Sequence, residues 1–197
     1  MSRSLLPSVS RGTTAPRRRS LLLGVTLVVA ALMTLAVPAA MADDDAEAHC
    51  VFLVTAQAPD GELTLAPLGC SPTFAEAMAV ASGGALSLSL DTPGEAVFSD
   101  TVVAEAVSSF TLGIHFDGYN GTGSSITVAG TSCSGGWWNA PAWFNNLTSS
   151  SYNGCYRLVH YDYANLGGAS AHTVGVGVTR NLTTFNNRTG SVQYLGS

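Results

Sequence analysis

Lysine is absent from this 197-residue chain, and only 11% of its residues are charged. Five of the eight arginines (Arg3, Arg11, Arg17, Arg18, Arg19) precede residue 20, whereas all thirteen acids follow residue 42. If residues 1–42 are a leader, the remaining 155 residues carry three arginines and thirteen acids, a formal charge of −10. Such a chain offers no basic face to nucleic acid and no attraction to anionic lipid. The longest apolar run, Leu21 to Ala36, has 16 residues, short of the roughly 20 that span a bilayer. No CxxC pair and no Gly-x-Ser-x-Gly elbow occurs. Tryptophan and tyrosine are missing from the first 105 residues. What remains is a chain sized for one ordinary domain, or a small domain with an appendage.

The leader is the clearest positive signal. Arg17-Arg18-Arg19 precede the apolar run, and Ala40-Met41-Ala42 supplies a small-x-small cleavage site. This is the layout of a secretory signal peptide, and it predicts an extracellular protein with no membrane attachment after cleavage. Arg18-Arg19-Ser20-Leu21-Leu22 also fits a twin-arginine signal, so the export route stays open. The lack of lysine and the Ala/Arg-rich leader point to a GC-rich bacterial source. Four cysteines remain, Cys50, Cys70, Cys133 and Cys155. They allow three connectivities. Cys50–Cys70 and Cys133–Cys155 is the economical one, each bridge closing a loop worth about 3 kcal/mol in the chain-entropy model. Zinc is the competing use of these cysteines, disfavoured by spacing and by export.

Composition changes near residue 105. Residues 43–105 hold eleven of the thirteen acids. His49–Val54 and Leu63–Leu68 read as strands around the Pro59-Asp60-Gly61 turn. Thr73-Phe74-Ala75-Glu76 is a capping box opening a helix over 74–82 that stops at Gly83-Gly84, with Phe74, Ala77, Met78 and Ala81 on one face. Residues 85–90 offer a further strand, and 91–105 a linker or weak helix. Residues 106–197 hold all three Trp and all six Tyr. Short Val/Thr/aromatic runs there alternate with Gly/Asn/Ser turns, the rhythm of an antiparallel β-sandwich.

This second segment repeats itself. Ile114-His115-Phe116-Asp117-Gly118-Tyr119-Asn120 parallels Val159-His160-Tyr161-Asp162-Tyr163-Ala164-Asn165. An aromatic is followed seven positions later by glycine in both copies (Phe116 to Gly123, Tyr161 to Gly168). Each copy ends in a twin-Asn turn, Phe144-Asn145-Asn146-Leu147-Thr148-Ser149-Ser150 and Phe185-Asn186-Asn187-Arg188-Thr189-Gly190-Ser191. Two copies of about four strands suit a duplicated Greek key. The hairpin followed by Asn-Asn-x-x-Ser-Ser resembles the βγ-crystallin domain. That resemblance implies a mainly β fold, a double Greek-key β-sandwich over 106–197, preceded by the signal peptide (1–42) and a small α+β segment (43–105). Tyr161–Gly168 is also similar to secreted bacterial peptidase inhibitors of this fold.

The resemblance implies calcium. Calcium takes six to eight hard oxygens, and in βγ-crystallins the turn of one motif and the hairpin loop of the other line each site. By position, Asn145, Asn146, Leu147 (carbonyl) and Ser149 form one arc; Asn186, Asn187 and Arg188 (carbonyl) form the other. Gly190 has no hydroxyl, so the second arc is the weaker. Asn and Ser in such turns also bond their own backbone without metal.

Other chemistry is thin. Cys133 as a nucleophile competes with its disulfide. His115 and His160 occupy matching repeat positions and read as packing residues; His49 and His172 belong to no motif. The expectation is therefore a non-enzyme. Gly135 to Phe144 reads as a loop, with Trp143 and Phe144 toward the core; Trp137 and Trp138 read first as core residues, and exposure of one of them would suit a cell-surface glycan or protein. Two functions follow: a monomeric, secreted calcium-binding protein with a structural or binding role, or an inhibitor of an extracellular metalloprotease presenting Gly135–Ala142.

Overall fold

The computed structural model describes residues 47–196; the leader expected at 1–42 lies outside the described residues. His49–Gln57 (β1) and Leu63–Ser71 (β2) form the expected hairpin, closed at Gly61, whose φ of +95° only glycine adopts without strain. Cys50 stands directly across from Cys70, and the two are bridged. The capping box opens Phe74–Ala81 (α1): Thr73 Oγ1 accepts from Glu76 N at 3.3 Å and donates to the Glu76 carboxylate at 3.0 Å. Residues 85–90 are not a strand. Leu86 and Leu88 pack against the helical core instead, leaving no partner for a ladder. The stretch expected as a linker or weak helix holds two short helices, Ala96–Ser99 (α2) and Thr101–Ser108 (α3). The second is capped by the Asp100 carboxylate, which accepts from Val102 N at 2.8 Å.

Eight further strands follow: Thr111–Phe116 (β3), Ser125–Ala129 (β4), Ser134–Asn139 (β5), Ser150–Asn153 (β6), Arg157–Tyr163 (β7), Gly167–Val174 (β8), Val178–Asn181 (β9) and Ser191–Leu195 (β10). Together with β1 and β2 they form two sheets, ordered β2-β1-β4-β3-β6-β9 and β5-β10-β7-β8. The third strand of each four-strand copy therefore crosses to the other copy's sheet: β5 joins β7, β8 and β10, while β9 joins β3, β4 and β6. The β1–β2 hairpin is part of this assembly. β1 runs parallel to β4, from His49 opposite Ser125 to Leu53 opposite Ala129. Residue 105 falls inside α3, and the chain on either side of it shares one sheet.

Side-chain alternation divides the first sheet between two cores. Ile126 and Val128 face the second sheet, packing with Leu63, Trp138, Phe144, Leu158, Val192 and Tyr194. Ile114, Phe116, Ala129 and Tyr152 face a helical layer of Phe74, Met78, Val97 and Val107. The layers run helices, six-stranded sheet, four-stranded sheet. Cys133–Cys155 pins the β4–β5 loop to the β6–β7 connection. The Trp pair expected in a loop lies in β5 with both rings buried. Gly136 explains how a glycine-containing segment became a strand here: a Cβ would fall 2.5 Å from Leu63 Cδ2, so its absence lets β5 close on the hairpin. Trp143, expected toward the core, is 52% exposed, while Phe144 is buried.

Candidate functional site

Each twin-Asn turn is built locally. Asn145 N and Phe144 N both donate to Pro141 O at 2.8 Å, and Asn187 follows a turn in which Asn186 N donates to Thr183 O. The second asparagine of each pair is left-handed, Asn146 at φ 60° and Asn187 at φ 55°, a conformation asparagine tolerates better than other side-chain-bearing residues.

The two copies then repeat each other's hydrogen bonds. Asn146 N donates to Thr189 O and Asn187 N to Thr148 O, both at 3.0 Å, so the turns are laced to one another. Ser149 N donates to Phe116 O at 2.8 Å, and Gly190 N to Tyr161 O at 2.7 Å. Ser150 Oγ donates to Gly118 O, as Ser191 Oγ does to Tyr163 O, each at 2.6 Å. The third strand of each copy grips the other copy's hairpin: Asn120 N donates to Asn181 Oδ1 and Asn165 N to Asn139 Oδ1, both at 2.7 Å. Lacing of this kind brings the turns and hairpins of both halves to one region.

There the expected arcs are redistributed. Ser149 is buried at 4% exposure, and its hydroxyl lies 3.2 Å from Asn187 Oδ1 and 3.4 Å from Leu147 O. The first junction therefore draws its three convergent oxygens from both arcs. Asn145 and Asn146 are exposed beside it. On the other side, Asn146, Asp162, Tyr163, Asn187 and Arg188 line a shallow hollow of about 200 Å³. The Arg188 guanidinium donates to the Asp162 carboxylate there. Asn186 Oδ1 is buried without a partner among the described residues.

The residues present fit calcium unequally. The first junction offers a carbonyl, a hydroxyl and an amide oxygen with no cation among them, which suits a hard dication that completes its shell with water. The second does not fit: a guanidinium stands in it, and Gly190 supplies no side-chain oxygen. Nor is there room for one, since a Cβ at Gly190 would lie 2.6 Å from Asp162 O and 2.7 Å from Tyr163 C. Sequence spacing missed Asp162 and the Arg188 side chain, because their pairing spans 26 residues.

Outside this region three of the four histidines are buried. His115 and His160 lie fully buried between the sheets, their Nδ1 and Nε2 atoms 3.2 Å apart. His115 Nε2 is 2.9 Å from Tyr194 Oη, which accepts from Trp138 Nε1 at 2.8 Å. Burial pushes the His115 pKa down to about 3 and lowers that of His160 well below its ordinary value. His49 Nδ1 is 2.9 Å from Ser125 Oγ, with Glu47 3.9 Å from Nε2. That trio resembles a nucleophile–base–orienter set, but Ser125 is wholly buried. Gly135–Ala142 is largely strand, with residues 136–138 buried, rather than a protruding loop. No known family matches this chain, and neither a curated protein nor a solved structure matches it.

Proposed function

We propose that this is an exported protein of the βγ-crystallin type, a double Greek key whose mature chain binds one calcium ion at the first twin-Asn junction. Leu147 supplies a carbonyl, Ser149 its hydroxyl and Asn187 an amide oxygen, with water completing the shell. Its role is structural or binding, and no catalytic step is assigned. The supporting observation is the approach of Ser149 Oγ to both Asn187 Oδ1 (3.2 Å) and Leu147 O (3.4 Å), which joins oxygens of two turns 38 residues apart in sequence. Neutral ligands place the affinity with extracellular calcium modules, at a Kd of about 10⁻⁴–10⁻³ M.

Calorimetric titration of the metal-free protein tests this, together with its melting temperature. Calcium at a hundredfold excess over Kd is expected to stabilise the fold by about 2.7 kcal/mol. Ser149→Ala removes most of that gain and costs about 1 kcal/mol without metal, because Asn187 is exposed and finds water instead. Absence of both heat and melting shift at about 10–100 mM calcium, the hundredfold excess this Kd requires, leaves the turns purely structural and defeats the proposal.

A further inference from the structure

We infer that the Arg188 guanidinium is the resident cation of the second junction, where it neutralises Asp162, ties the second twin-Asn turn to the β7–β8 hairpin, and closes the hollow to divalent ions. The inference rests on the twin-Asn reading of the site proposed above, but does not require the first junction to hold calcium.

The two halves correspond residue by residue, so they can be compared directly. Leu147 stands where Arg188 stands, and Asp117 where Asp162 stands. In the first half, the Leu147 side chain is 41% exposed and no basic side chain forms an ion pair with Asp117 among the described residues. In the second half, the guanidinium is held from three sides. It donates from Nη2 to Asp162, it donates from Nη1 to Thr184 O at 3.4 Å, and it lies 5.1 Å over the Phe185 ring. The Asp162 side chain is only 11% exposed, and the guanidinium lies against the one carboxylate that lines the hollow. Its lining residues, Asn146, Asp162, Tyr163, Asn187 and Arg188, then carry no net charge. A dication entering there meets a fixed positive charge and must displace it from its carboxylate. Gly190 completes the difference: the hairpin backbone at 162–163 occupies the space that the Ser149 hydroxyl has in the other half. One junction is left open to an external cation, and the other carries its own.

The test uses the purified, disulfide-bonded chain with Ser149→Ala throughout, which largely silences the first junction, and calcium chloride as the probe. Ser149→Ala alone is expected to keep only a small residual melting shift at millimolar calcium. Adding Arg188→Gln lowers the metal-free melting temperature by about 2 °C, the scale of a half-exposed ion pair, and makes calcium raise it again. Adding Asp162→Asn to that double variant abolishes the added calcium response. Arg188→Lys, which keeps the charge, adds nothing to the residual shift. The inference is overturned if Arg188→Gln confers no calcium response, if the response survives Asp162→Asn, or if the Ser149→Ala chain already responds as strongly. Calcium on the unmutated chain reports the first junction separately, so failure there and failure here are distinguishable.

Discussion

The hydrogens of the buried chain Trp138–Tyr194–His115–His160 can be assigned by counting. Trp138 only donates, so Tyr194 accepts from it and donates its own hydrogen to His115 Nε2. His115 then carries its proton on Nδ1 and donates to His160 Nε2, leaving His160 Nδ1–H without a partner. The reverse direction orphans both the Tyr194 hydrogen and His160 Nδ1, so it costs more. Neither imidazole has an acid beside it to support a charge: the groups that perturb His160 are His115 and Arg180, both of which oppose protonation. Folded-state pKa values therefore lie below the unfolded value of about 6.5, and the unfolded chain binds protons the native chain refuses. Stability is fully present above about pH 6.5 and falls as the pH drops toward 3. The slope from the pair is about 2.7 kcal/mol per pH unit. Urea midpoints at pH 7 and pH 5 read this directly; an unchanged midpoint contradicts the assignment. His160→Leu should halve that slope while costing about 1–3 kcal/mol at neutral pH, because His115 Nδ1–H loses its acceptor. Gly190→Ser belongs to the same scale. Its φ is not in the left-handed region, so the substitution acts through contact with hairpin backbone that cannot rotate away. A loss of about 1–3 kcal/mol with no gain in calcium response is expected in thermal melts.

Among the elements, those with a local cause were readable. The capping box gives α1, and Thr73→Ala should cost about 1 kcal/mol by removing the hydroxyl that both receives Glu76 N and reaches its carboxylate. Circular dichroism during urea unfolding checks it; a cost near zero would mean that Phe74 and Met78 packing alone holds the helix. The Pro59–Gly61 turn, the twin-Asn turns and both disulfides were likewise legible, each set by residues close in sequence. What escaped was whatever depended on a distant partner. β5 holds two glycines and precedes Pro141, and reads as loop until Leu63 of the hairpin and Val192 of β10 supply its two sides. The parallel pairing of β1 with β4 joins residues 76 apart and leaves no trace in composition. At the candidate site, the asparagines were visible as turn residues, but Ser149 meets Asn187 only when the two copies interlace, and Arg188 meets Asp162 only when the second turn folds back on the β7–β8 hairpin 26 residues away.

At the scale of the whole molecule, that parallel pairing changes what the repeated half can do alone. A free-standing sandwich turns the outer faces of both sheets to solvent, and its strands then alternate apolar and polar. Here β3 and β4 are buried at every position, inner and outer face alike. Ile114, Phe116, Ala129 and Tyr152 are covered by α1, α2 and α3, and Tyr152 Oη donates to Ala104 O of the helical layer. β4 also relies on β1 for one row of its hydrogen bonds. A chain beginning at residue 106 would uncover that apolar face and expose an edge strand of Ser-Ile-Thr-Val-Ala with no charge to protect it. It is therefore expected to aggregate or to populate a loosely packed state that binds hydrophobic dye, whereas the chain beginning at Asp43 melts cooperatively. The near-ultraviolet signal of Trp137 and Trp138 is the sharper readout, because Gly61 O accepts from Trp137 N at 2.9 Å and Asp60 O from its ring nitrogen at 3.2 Å. Both carbonyls belong to the deleted hairpin. A truncated chain that kept that signal and a cooperative melt would show that the repeated half is self-sufficient and that residues 47–105 are an appendage. Loss of both, with the Cys133–Cys155 bridge still formed, would make residues 47–105 an integral layer of one folding unit.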